Sequence, residues 1–527
     1  MVRWRARLGA WSVGCSDSIS GDTLAVIPFE RMSFFRTPPV CGRRPPNPTM
    51  EEAEMKSKKR PQSTRHKRTT TDRRPSATPL LQRIQPDAAG IDCGAEYHYV
   101  AVPPDRAPQP VRAFRTFTTD LYQLADWLVQ CGVKTVAMES TGVYWITVYE
   151  ILEARGLEVV LVNARHLRNV RGRKSDVSDC EWLRDLHSVG LLSPSFRPAD
   201  EIVALRSYTR QRESLVQEAA THIQRMHKAL TEMNLLLHVV LSDITGVTGL
   251  KIVRSILDGE RDPARLATYR DYRCHASPKE IIAALTGNYR AEHLFALRQN
   301  FAAYQFNLQQ IAECDAAIEA LLDTLAARQP PPPTELPPPR RTTAPKRHEP
   351  RFDLRTPLHR LTGGADLSQL DAIGPHAALQ LIAEIGTDMS RWPSAKHFTS
   401  WLTLAPNNKI SGGRLLSSKT QPSANRAAAI LRRCAMSLTR TSTALGAFYR
   451  RLAARAGKPT AITATARKLA LLVYRVLRGD ITYCDPGAEA YAQLHRARAL
   501  KTLRKRAQQL GFALVNLNSG ELTQTVS

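Results

Sequence analysis

Along residues 87–198, apolar and polar positions switch between a period of two and a period of three to four. AGIDCGAEYHYVAV alternates and reads as one strand, with VRAFRTF as its hairpin partner. In TDLYQLADWLVQCG the period changes: Leu121, Leu124 and Leu128 recur at helical spacing behind a threonine placed to cap the helix. KTVAMES predicts another strand, VYWITVYEILEARG a helix stopped at Gly156, and LEVVLVN a further strand. This βββαβα-like order predicts a mixed sheet flanked by helices, with ligands received at strand ends.

Further on, Leu215, Ala219, Ile223, Met226, Leu230, Met233, Leu237 and Val240 recur at steps of three and four. That is a coiled-coil-like seam, to be packed within the chain or between subunits. A second helical run covers Glu292 to Leu325, and QPPPPTELPPPRRTTAPKRHEPR then ends helix and sheet alike, predicting an extended linker. The expected organisation has six parts. Residues 1–86 form a basic, disordered extension, 87–200 an α/β domain, and 201–328 a helical, coiled-coil region. A Pro-rich linker at 329–362 leads to a mainly helical C-terminal domain at 363–510 and a tail at 511–527.

Composition adds charge to this picture. Apolar residues make up 43% of the 527, enough for ordinary cores, but 74 Lys and Arg face 48 Asp and Glu, a net charge of +26. Such a field attracts polyanions. About ten of those charges lie in residues 1–86, which hold 17 Lys and Arg against 7 Asp and Glu. No apolar run approaches the roughly 18 residues that span a bilayer, so no membrane partner is expected. The first residues lack the apolar core of a signal peptide. The nine cysteines are scattered with no C-x-x-C pair, which argues against a disulfide framework or zinc module and for a reducing cytoplasm.

Four carboxylates are the candidate chemistry. Asp92 lies in the first strand between Gly90 and Gly94, which admit a close backbone or phosphate. Glu139 ends the strand of MESTGVYW, and Asp176 and Asp179 in RKSDVSDCEWL are spaced to share one helix face. Acids converging from strand ends and an adjacent helix suit two-metal phosphoryl transfer, with oxygen ligands for Mg²⁺ or Mn²⁺. Blander roles stay open at this point. A strand Asp can be a structural acceptor, Glu139 can cap the helix after Gly142, and D-x-x-D is commonly a solvated face.

GIDCG, MESTGVYW and VRGRKSDVSDCEWL together resemble the D-E-D-D set of transposases of the insertion sequence 110 family. Past the linker, LDAIGPHAALQLIAEIG, FTSWLTLAPNNKISGGRLLSSKT, SANRAAAILRRCAMSL and KPTAITATARKLALLVYRVL are similar to that family's C-terminal transposase domain. The resemblance implies an RNase H/RuvC-like α/β domain, a helical coiled-coil region and a mainly α C-terminal domain. It implies metal at Asp92, Glu139, Asp176 and Asp179, and a serine nucleophile that matches Ser411 in NKISGGR, with Ser417 and Ser418 as near alternatives. It also implies a homo-oligomer, dimer or tetramer, acting on element ends and target DNA, with a structured guide RNA encoded by the element.

Other residues suggest contacts to nucleic acid. Gly412 and Gly413 would let a DNA backbone approach. Ile373-Gly374-Pro375 reads as the turn of a helix-hairpin-helix, whose helix N-terminus offers amides to phosphate. Arg414, Lys419, Asn425, Arg426, Arg432 and Arg433 add polar and basic groups nearby, and HRARALKTLRKRAQQL is a basic amphipathic helix. Two rivals stand beside the transposase: a RuvC-like junction-resolving endonuclease using water, and a non-catalytic nucleic-acid-binding remnant.

Overall fold

The computed structural model describes residues 83–140, 142–163, 176–340 and 347–514, apart from the side chain of Asp176. The expected N-terminal extension lies outside them, except for residues 83–86, as does the tail beyond 514. The stretch expected to be one strand is two. β1 (Ala88–Cys93) turns through residues 94–96 into β2 (Tyr97–Ala101), and the Gly94 amide donates to the Tyr97 carbonyl at 3.1 Å. This tight turn lacks the Asn-Gly or Pro signals of a hairpin, so alternation ran through it unbroken in the sequence.

β2 pairs antiparallel with β3 (Val111–Arg115), while β4 (Thr135–Glu139) and β5 (Glu158–Val162) run parallel to β1. The sheet order is β3-β2-β1-β4-β5. Helix α1 (Thr118–Gln130) begins after Phe117, without the threonine side-chain cap expected, and α2 (Trp145–Ala154) follows β4. Both cover one face, burying Leu121, Leu124, Leu128, Val148 and Leu152 against Ile91, Val100, Val136 and Met138.

The opposite face carries α3 (Asp176–Ser188). A Cβ at Gly90 would stand 2.3 Å from the Cys180 carbonyl oxygen and 2.4 Å from the Arg184 amide, so helix backbone lies directly on strand backbone. Two polar clamps hold the rest of the helix. Arg184 donates from Nη1 to the Val102 carbonyl at 3.0 Å, and Thr135 Oγ1 and His187 Nε2 share a buried hydrogen bond of 2.8 Å. Because Cys180 and Arg184 sit over the middle of β1 and His187 at the start of β4, α3 runs antiparallel to the strands. Its first turn therefore lies at their C-terminal ends.

The seam is packed within the chain. α4 (Asp200–Glu232) pairs with a second long helix that follows four shorter ones, α5 (Leu237–Val240), α6 (Val247–Leu257), α7 (Pro263–Ala267) and α8 (Pro278–Leu285). That partner is α9 (Ala291–Ala327). Ala219, Met226 and Leu230 of α4 join Leu297, Phe301 and Tyr304 of α9 in one core, capped by α6 to α8. Midway, the buried Arg212 donates to Asp315 of α9 at 2.5 Å and to the His348 carbonyl at 2.9 Å.

At its base this pair enters the C-terminal core. Ile202, Leu205, Ile318 and Leu322 pack with α10 (Arg355–Leu361), α11 (Pro375–Ile385), α12 (Ala395–Trp401), α13 (Arg426–Ser437) and, beyond α14 (Ala444–Ala456), α15 (Lys458–Leu477). Phe398 is fully buried there, with ring centroids of Trp392 at 4.9 Å and Tyr474 at 5.8 Å. Arg206 of α4 caps the C-terminus of α11, donating to the carbonyls of Ala383 at 3.1 Å and Glu384 at 2.7 Å.

The described residues 329–340 of the Pro-rich stretch form no helix or strand, yet they are docked, and α10 occupies 355–361 at the end of the expected linker. Arg355 donates to the Pro337 carbonyl, Gln369 to the Pro338 carbonyl, and Arg340 pairs with the buried Asp371 at 2.6 Å. Residues 341–346 of the linker lie outside the described residues. A long basic helix, α16 (Gly487–Gln509), ends the described chain and buries none of its residues.

Gly90→Ala would place a methyl inside the α3 backbone. It is expected to lower stability by about 1–3 kcal/mol or more through overpacking. Urea denaturation of the purified chain measures this, and a midpoint equal to that of the unmodified protein would refute the close approach.

Candidate active site

The register decides where the first two acids go. Ile91 stands opposite Met138 in the parallel β1–β4 pair, so Asp92 and Glu139 are the next residues along neighbouring strands. Ile91 and Met138 both join the α1–α2 core, and alternation turns Asp92 and Glu139 to the face that α3 covers. Both acids are half-buried at the C-terminal strand ends. Asp179, also half-buried, lies in the first turn of α3, next to the Cys180 that meets Gly90. Asp176 is the first residue of α3, but its side chain is outside the described residues.

Two thiols register the charge gathered here. Burial first, and then the negative charges of Asp92 and Glu139, push the Cys93 thiol up to about 12. Burial, Glu181 and Asp92 push the Cys180 thiol up to about 12. Each therefore stays protonated and adds no charge among the acids. Among the described residues no three His, Cys, Asp or Glu side chains stand closely enough to hold a metal ion. The described acids nevertheless offer hard oxygen donors only, the chemistry that suits Mg²⁺ or Mn²⁺. The positive end of α3 favours negative charge at its first turn.

Ser411 stands on a separate two-stranded sheet. β6 (Lys409–Ser411) and β7 (Arg414–Ser417) pair antiparallel, with Ser411 opposite Arg414. Gly412 and Gly413 make the two-residue turn at φ of 54° and 73°, which two consecutive glycines adopt without strain. Added Cβ atoms on either would meet nothing within 4 Å, so the tip is open, and Ser411 beside it is exposed. The structure thus gathers Asp92 and Glu139 and lays the helix of Asp179 at the same strand ends, with Ser411 on a hairpin of its own.

The basic candidates divide. Arg414 and Lys419 are exposed on and beside the hairpin. Arg426 and Arg433 of α13 pair with Glu213 of α4 at 3.3 and 3.5 Å, and Asn425 caps α13 by accepting from the Ala428 amide at 2.9 Å. Arg432 is half-buried, and burial holds its guanidinium below its ordinary value. Gly374 is the exposed N-cap of α11, ahead of Pro375, but a three-residue 3₁₀ turn (Leu367–Gln369) stands where a first helix was expected.

Residues 89–235 match a DEDD-type transposase model of insertion sequence 110, and residues 365–450 match the transposase family of insertion sequences 116, 110 and 902. The chain belongs to the insertion sequence 110 family of transposases. A comparison with curated proteins gives no match.

In this transposase the first matched segment takes in the sheet, α3 and α4, with the RuvC-like α/β domain at its start. The second takes in α11, the Ser411 hairpin and α13. No described helix is long and apolar enough to cross a membrane. Sequence reasoning missed Tyr99, the half-buried cross-strand neighbour of Asp92. Only once the turn at residues 94–96 is known does alternation put Tyr99 beside that acid.

The cysteines report on this packing. Cys484 is exposed, whereas Cys93 is buried in the α1–α2 core and Cys180 between α3 and the sheet. With iodoacetamide at neutral pH, peptide mass spectrometry is expected to show Cys484 alkylated first among the cysteines of the described residues, and Cys93 and Cys180 only after denaturant is added. Early labelling of Cys180 would mean that α3 does not lie on the sheet.

Proposed function

We propose that this transposase cuts and rejoins DNA with a site made of two parts, the acids Asp92, Glu139, Asp176 and Asp179 and the serine Ser411. The observation that carries it is the adjacency of Asp92 and Glu139 on parallel strand ends, with the acidic first turn of α3 laid over the same ends by Gly90. Acids so placed repel one another, and a divalent cation, Mg²⁺ or Mn²⁺, offsets that repulsion. Bound there, the cation would polarise the scissile phosphate and stabilise its developing charge.

Ser411 supplies the nucleophile. Its Oγ bonds to phosphorus, the phosphorus–oxygen bond to the departing strand breaks, and the serine proton ends on the released hydroxyl. The strand is left as a serine phosphodiester, and the reverse step with a new hydroxyl rejoins it. Openness of the hairpin tip supports this role, since a backbone entering beside Gly412 and Gly413 meets no side chain. Arg414 and Lys419 hold its phosphates, while Arg426 and Gly374 contribute at the edge of the same domain. That the two parts stand on separate sheets fits a homo-oligomer, dimer or tetramer, acting in the cytoplasm. A structured guide RNA of the element then chooses the DNA, as the family resemblance implies.

Ser411→Ala is expected to abolish strand exchange and the covalent protein–DNA adduct. Hydrolytic cutting that persists without an adduct would instead favour the water-using junction endonuclease. Asp92→Asn, or removal of divalent metal with EDTA, is expected to stop cleavage, with Mg²⁺ restoring only the unmodified protein. Normal recombination by Asp92→Asn protein on gel assays would overturn the metal assignment.

A further inference from the structure

The segment that leaves Glu139 carries apolar and aromatic side chains into solvent beside the acids. Between Glu139 and Ala154 there is no Lys or Arg, so this segment itself brings no cationic side chain to a phosphate. Instead Val143, Tyr144 and Ile146 are 67%, 45% and 38% exposed, while deeper in α2 Val148, Ile151 and Leu152 are buried. An apolar group of this kind at the rim of a polar site marks a surface with a partner.

The Tyr144 ring is not loose. Gly142 has a φ of 61°, and a Cβ there would lie 3.3 Å from Cε2 and 3.4 Å from Cδ2 of Tyr144. One edge of the ring therefore rests on the bare backbone of the turn. Ser140 closes the same turn onto β5, donating from its amide to the Val162 carbonyl at 3.0 Å and from Oγ at 3.1 Å. An aromatic ring is held by its edge at the strand end carrying Glu139 and is left open to solvent. On the other face of the sheet, α3 exposes Val177 and Trp182.

We propose that Tyr144 is a stacking platform for an unpaired nucleobase of the DNA strand being cut, flanked by Val143 and Ile146. Every base presents a π-face, so stacking grips a strand without reading its sequence, and it complements phosphate contacts made elsewhere. A base drawn out of the helix onto Tyr144 aligns the neighbouring phosphate with the acids. Tyr144 is thus a positioning residue that touches the substrate beside the reacting atoms. The inference rests on the proposed DNA cleavage by this site.

The test uses the full chain without divalent metal and a gapped DNA duplex carrying 2-aminopurine in the gap, whose fluorescence falls on stacking. The unmodified protein and Tyr144→Phe are expected to quench the probe, and Tyr144→Ala not to. Tyr144→Ala should weaken Kd for the gapped probe between about 5-fold and 150-fold, the span of base–aromatic stacking, and Kd for paired duplex by no more than about 2-fold. Equal quenching by all three proteins overturns the proposal. So does a change in oligomeric mass on light scattering with quenching intact, which would give the apolar rim to another copy of the chain. Cleavage that survives Asp92→Asn would remove the functional reading and leave the quenching result standing. Failure to bind either DNA would remove both.

Discussion

The approach of α3 to β1 at Gly90 is the contact on which the acidic end of this transposase depends. Helices ordinarily stand off a sheet by the thickness of their side chains. Here a glycine lets the Cys180 carbonyl and the Arg184 amide come down onto the strand itself. That closeness, with the Arg184 and His187 clamps, sets both the distance and the direction of the helix. Its acidic first turn then falls at the ends of β1 and β4, where register has already put Asp92 beside Glu139. Remove the close approach and the acidic turn of α3 is parted from the pair that register holds together.

Charge explains the remainder of the architecture. A chain of net charge +26 has arginines in excess, and many are engaged internally. Arg206 satisfies carbonyls at the end of α11, Arg212 joins α4 to α9 and to His348 of the linker, and Arg340 and Arg355 hold the proline stretch. Burial lowers the Arg206 guanidinium to about 10, still charged at neutral pH, so its hydrogen bonds persist. Glu213 offsets Arg426 and Arg433, whereas Arg414 and Lys419 remain exposed at the hairpin. The cations nearest Ser411 are thus the ones left open to a polyanion, which net charge alone does not reveal.

The proline stretch shows how composition under-determines behaviour. Its prolines exclude helix and sheet, and none forms among its described residues 329–340. Yet carbonyls of Pro337 and Pro338 accept hydrogen bonds from α10 and the 3₁₀ turn, and the stretch runs along the C-terminal domain as a strap. Prolines give up amide donors but keep carbonyl acceptors, and arginines on a neighbouring surface supply what those acceptors need.

Periodicity by itself determined much of this protein. The helices at α1, α2, α4 and α9, the strands β4 and β5, and the mixed α/β character all follow from where apolar residues recur, because burial of one face is a local demand on sequence. The acids at Asp92, Glu139, Asp176 and Asp179 were legible as candidates from their places at strand ends and their helical spacing, and Ser411 with its paired glycines only through the family resemblance. What alternation could not show was the break between β1 and β2, since a three-residue turn preserved the pattern, nor that the α4 seam closes on α9 rather than on another subunit. Only tertiary structure decided which acids become neighbours. Asp92 and Glu139 are 47 positions apart and meet through a parallel register, a relation that no local pattern encodes. The role of Gly90 was decided there too, because a glycine's missing side chain acquires meaning only from the backbone that fills its place.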